Sequence, residues 1–204
     1  MTGPFDPRSA LSPHFRLSEF TNSQIAAKHQ LYNIPRDDFE IANLKALATQ
    51  VLEPARRLIG VPLIITSGFR CGTLNRLIGG ASQSQHMLGE AADFIPRGLA
   101  VEAAALLLTA HEDVQFDQLI YEVRLTEKTP PVRWIHISHK RLGGNRCEVL
   151  SILHGGAAKK VRPGIVSLGD FETAPNTKKA ETKISETTPG ARSPCQNRAG
   201  HHAA

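Results

Sequence analysis

Between Asp37 and Ile59 the apolar residues Ile41, Leu44, Leu47, Val51, Leu52, Leu58 and Ile59 recur at helical spacing. That spacing predicts a helix with one broad face turned toward a core. Asp37 or Asp38 suits its start and Gly60 its end. Pro54 lacks an N–H and clashes with the preceding turn, so it should kink the helix or split it in two. Upstream, residues 1–15 carry Pro4, Pro7 and Pro13 and read as an irregular lead-in. Ser18 or Ser23 is placed to cap a short helix through Ala26–Leu31, which Pro35 closes.

The rhythm then changes. Leu63–Thr66 is a short apolar, β-branched run between Pro62 and Ser67-Gly68, which predicts a buried strand. Residues 67–90 are rich in Gly, Ser, Gln and Asn, a long loop with one helical turn near Leu74–Ile78; loops of that length inside a compact domain usually carry function. Ala91–Ile95 reads as a second strand and Val101–Leu108 as a helix. Gln118–Glu122, Trp134–Ser138 and Glu148–Leu153 read as three further strands. Helices first and strands later predict an α+β domain over residues 16–155, its N-terminal helices packed on a mainly antiparallel sheet. After Gly155 the apolar rhythm fades. Residues 156–204 read as a basic low-complexity tail, and from about Thr173 they hold too few large apolar groups to order themselves.

Charge changes this picture little. The net charge is +5 over 204 residues, but residues 156–204 hold 8 Lys/Arg against 4 Asp/Glu, leaving 16 against 15 in the body. The excess therefore sits mainly in the tail, and the near-neutral body without aromatic–basic interleaving argues against specific nucleic-acid binding. With 41% hydrophobic and 21% charged residues, neither a disordered nor a membrane class is favoured. The three cysteines, Cys71, Cys147 and Cys195, form no CxxC unit, so neither a disulfide scaffold nor a thiolate zinc site is expected. The opening residues MTGPFDPRSA contain no apolar run, so no secretory signal is expected, and no stretch approaches a membrane span. A single-domain monomer is the expectation.

The sharpest chemical feature is Ser84-Gln85-His86-Met87-Leu88-Gly89-Glu90-Ala91-Ala92-Asp93. It places an imidazole in a loop and a carboxylate in the next strand, with Gly89 available for a tight turn. Both groups are good zinc ligands, and a catalytic zinc needs three protein ligands with one position left for water. Trp134-Ile135-His136-Ile137-Ser138 offers the third: on a strand, Trp134, His136 and Ser138 share one face while Ile135 and Ile137 face the core. By spacing alone, a strand His is more often a satisfied polar residue, and Asp93 equally suits a turn cap.

Ser84–Asp93 carries every fixed position of SxHxxGxAxD, and over roughly residues 16–140 the chain resembles the zinc D-alanyl-D-alanine carboxypeptidases. That group also includes D,D-dipeptidases and phage endolysins cutting the L-alanyl-D-glutamate bond, and it shares its fold with the hedgehog signalling domain. The resemblance implies zinc held by His86, Asp93 and His136, and a peptidoglycan stem-peptide substrate cut next to a D-amino acid. Ser67-Gly68-Phe69-Arg70 is similar to the family's SGxR turn, which implies that Arg70 holds a substrate carboxylate or polarises its carbonyl; a planar, permanently charged fork suits that role. Ser84 is implied near the substrate. Some relatives place an acid three positions before the last ligand, where this chain has Arg133, unable to abstract a proton. Tyr121-Glu122 followed by Trp134-Ile135-His136 resembles the hedgehog-like pattern instead, which makes Glu122 the candidate general base. His139, three residues beyond His136, is expected to face the other side, and His14, His29, His111, His154, His201 and His202 have no supporting pattern. The family resemblance suits a phage enzyme made in the cytoplasm and acting on the wall after release or as a virion component. The alternatives are a hedgehog-like module in which zinc is structural, and a nucleic-acid-associated protein using the tail.

Overall fold

The computed structural model describes residues 6–127, 129–155 and 159–173. Two short helices, α1 (Leu17–Thr21) and α2 (Gln24–Lys28), lead into α3 (Asp38–Leu47). The Ser23 and Asp37 side chains cap α2 and α3 by accepting from the amides of Ala26 and Glu40, each satisfying an otherwise orphaned donor. A π-helical turn at Ala48–Leu52 separates α3 from α4 (Glu53–Ile59). The wider turn falls just before Pro54, where the ring would meet the carbonyl four residues back, so the expected split is met by local widening. Gly60 ends α4 in the left-handed region, at φ 77°.

Six strands form one sheet: β1 (Leu63–Ser67), β2 (Ala91–Pro96), β3 (Gln118–Arg124), β4 (Val132–Ser138), β5 (Glu148–His154) and β6 (Lys160–Pro163). Their spatial order is β1-β2-β4-β3-β5-β6. Every neighbouring pair is antiparallel except β3 with β5, which run parallel. The predicted α+β class with a mainly antiparallel sheet is the architecture observed. Helix α5 (Gly72–Leu77) lies in the long loop after β1, and α6 (Val101–Ala110) follows β2.

One face of the sheet is apolar. Ala92, Phe94, Leu119, Tyr121, Val123, Ile135 and Ile137 are all buried there and join Leu44, Leu47, Leu52, Ala105 and Leu108 from the helices in one core. The Tyr121 hydroxyl reaches Glu102 of α6, so α6 lies over this face. Because strand side chains alternate, Asp93, Ile120, Glu122, Trp134 and His136 project to the other face.

The lead-in is irregular but anchored. Leu11 and Phe15 are buried in the core, and the Glu53 carboxylate accepts from the Ser12 hydroxyl and the His14 amide. The segment beyond residue 155, read from sequence as tail, contributes more than expected. Strand β6 pairs with β5, and Phe171 of the short α7 (Asp170–Thr173) is 1% exposed within the core. A single aromatic anchor and one edge strand carry too little periodicity to stand out in sequence. The remainder of the expected tail, residues 156–158 and 174–204, lies outside the described residues. Cys71 is a free thiol. No helix among the described residues is long and apolar enough to cross a membrane.

Candidate metal centre

Register builds the site. Ser67 of β1 pairs with Asp93 of β2, Asp93 with His136 of β4, and His136 with Ile120 of β3. Asp93 and His136 therefore stand side by side on the face away from the core. His86 arrives from a 3-10 turn, Gln85–Leu88, that ends at Gly89. Gly89 has φ +71°, and a Cβ there would meet the Glu40 carbonyl at 2.6 Å; only glycine fits both demands. The turn is docked on α3, where the Asn43 amide donates to the Leu88 carbonyl at 2.9 Å.

Three ligand atoms converge. His136 Nδ1 lies 2.8 Å from Asp93 Oδ1, His86 Nε2 lies 3.2 Å from the same oxygen, and the two imidazole nitrogens are 3.2 Å apart. Ligands at the ~2.0–2.1 Å bond lengths of zinc stand about 3.3 Å apart on the edges of a tetrahedron. The observed spacings come close to that, with nitrogen and carboxylate donors of the type zinc prefers. His86 Nδ1 sits 2.6 Å from the Gly68 carbonyl, an acceptor, so Nδ1 carries the proton and Nε2 is left with its lone pair toward the cluster. Among the described residues the cluster comprises these three His, Cys, Asp or Glu side chains and no fourth. A zinc ion held by three protein ligands keeps a fourth position for water, which is how catalytic sites differ from closed structural ones.

Electrostatics agree with this use. His86 is 3% exposed, and burial pushes its imidazole down against the pull of Asp93, favouring the neutral form a metal needs. Burial pushes the Asp93 carboxyl up, but His86 and His136 outweigh it and hold the group well below the usual carboxylate range. A neutral imidazole and an ionised carboxylate are the forms that bind a divalent ion. The outer oxygen of Asp93 accepts from Arg70 Nη2 at 2.6 Å, and Arg70 Nε donates to the Ser67 hydroxyl at 2.9 Å.

The residues singled out from sequence are thus distributed unevenly. His86, Asp93 and His136 come together, with Arg70 against them. Ser84 starts the 3-10 turn without capping it through its hydroxyl. Glu122 lies on the same face as His136, directly across from Trp134, one diagonal step from His136 at a distance of roughly 7–8 Å between such positions. Its Oε2 is engaged by His154 Nε2, a contact sequence reasoning missed because His154 had no motif around it. His139 is buried beside Gln50 and Asn145, away from the cluster, as expected of a bystander.

A model of the Peptidase M15 family matches residues 13–138, more than half of the chain and all three converging side chains. No curated protein shows significant sequence similarity to it.

Proposed function

The chain belongs to the Peptidase M15 family, and on that premise we propose that it is a zinc-dependent hydrolase of peptidoglycan stem peptides, cutting beside D-amino acids. The observation that carries this reading is the convergence of His86, Asp93 and His136 into a three-ligand cluster with no fourth protein ligand among the described residues. When bound there, zinc supplies a Lewis acid that polarises a peptide carbonyl and acidifies water. Glu122, projecting from the same face, takes the proton of the attacking water and delivers it to the departing amine, so that the peptide bond breaks into an acid and an amine. Arg70 holds Asp93 in orientation through Nη2 and adds a fixed positive charge beside the site, suited to a substrate carboxylate or the developing charge on the carbonyl oxygen. Ser84, the residue before the turn that carries His86, contributes a substrate contact on this reading.

Digestion of purified peptidoglycan with the zinc-loaded protein, followed by mass spectrometry of the products, tests this directly. New fragments ending at a D-residue or beginning with one, abolished by a chelator and restored by zinc, are the expected result. Intact peptidoglycan in the presence of zinc-loaded, folded protein would instead favour a binding module with structural zinc.

A further inference from the structure

Beside the metal cluster lies a second arrangement, built on a histidine outside the family match. His154 is the last residue of β5, sixteen positions beyond the end of the family match at residue 138. The parallel register sets it beside Arg124 of β3. From there it spans three strands: its Nε2 engages Glu122 Oε2 on β3, and its ring stacks on Trp134 of β4 with centroids 5.6 Å apart and planes 21° from parallel. The Arg124 guanidinium lies over the same indole at 5.1 Å. Trp134 is two residues from the ligand His136 on one strand face, so the stack ties His154 to the strand that carries the metal centre.

An ion pair alone would be an ordinary surface feature. Here the Glu122 side chain is 13% exposed, one of its oxygens is held by the imidazole, and Oε1 takes no hydrogen bond from a described residue. Glutamate has three rotatable bonds, and a base left to sample them spends little time in reach of its proton. Anchoring one oxygen on a ring that is itself stacked on an indole restrains the carboxylate while leaving Oε1 without a partner among the described residues. We propose that His154 is a positioning residue that holds the Glu122 carboxylate for proton transfer, and that Trp134 fixes the imidazole in turn. This rests on the reading of Glu122 as the general base.

The test is a double-mutant cycle on the zinc-loaded full chain, with the pentapeptide L-Ala-D-Glu-L-Lys-D-Ala-D-Ala as probe. His154→Ala lowers kcat by about 10–100-fold, the range typical for supports of a reacting group, with KM and zinc content unchanged. His154→Gln, which keeps a donor, recovers part of that loss. In the double variant E122Q/H154A the loss is no larger than in E122Q alone, because residues acting as one unit are not additive. A purely structural histidine would give losses that multiply, and that outcome, or a His154→Ala enzyme with wild-type kcat, overturns the proposal. The failures are separable: full activity in E122Q sinks the base assignment, an inert wild type sinks the peptidase reading, and an inactive E122Q beside an unaffected H154A sinks this inference alone.

Discussion

Two enclosed carboxylates on the same sheet illustrate what separates a site from a strut. Asp117, just before β3, is fully buried, and both of its oxygens are taken by one permanent cation. Arg146 donates from Nε to Oδ1 at 3.0 Å and from Nη2 to Oδ2 at 2.7 Å, its amide adds a bond of 2.9 Å, and Lys140 stands 3.5 Å away. Burial pushes that carboxyl up, but Arg146 brings it down to about 2. Asp93 also gives one oxygen to an arginine. Its other oxygen faces two imidazole nitrogens, groups able to exchange a proton for a metal. Burial and a lowered carboxyl pKa therefore do not by themselves identify function; the nature of the partners does.

Replacing each carboxylate by its amide separates the two. Asp93→Asn removes an anionic ligand, and the zinc-loaded protein is expected to lose at least ~1000-fold in kcat/KM together with tight zinc binding, read by peptide turnover and metal analysis. Near-normal turnover in that variant would make Asp93 a second strut. Arg70→Lys keeps the charge but not the two-point contact to Asp93 and Ser67, and a ~10–100-fold fall in activity is expected with the fold intact, as for other groups that orient a ligand. Asp117→Asn has the smallest effect and a different kind. Activity per folded molecule stays unchanged, while stability at neutral pH falls by ~2 kcal/mol, the size implied by a carboxyl displaced from its ordinary value to about 2. The sign follows from the depressed folded-state value: the contribution is present in full above pH ~4 and is lost as pH falls toward 2. Denaturation midpoints of wild type and variant should therefore converge over that interval, and a constant gap would show that the charge is not the source.

Much of this was legible from residues alone, for definable reasons. Strands β1 to β5 announce themselves through runs such as Leu63-Ile64-Ile65-Thr66 and the alternation in Trp134-Ile135-His136-Ile137-Ser138, and His86 and Asp93 sit within one motif whose Gly89 has a backbone requirement. Strand β6 did not show itself, because Lys-Val-Arg-Pro is a strand only by virtue of the β5 edge it joins. The π-helical turn was foreshadowed by Pro54 but not its form. His154 was passed over because its partners, Glu122 and Trp134, lie 32 and 20 residues away and meet it through the β3–β4 and parallel β3–β5 pairings, a long-range consequence of topology that local patterns do not encode.

Metal stoichiometry, determined by elemental analysis after dialysis against trace zinc, bears most directly on the convergence of two imidazoles and one carboxylate around a single ion. Wild type should retain one zinc per chain, and His86→Ala and His136→Ala should each retain essentially none while remaining folded. Undiminished zinc in either folded variant, or none in the wild type, would contradict the metal centre on which the catalytic reading is built.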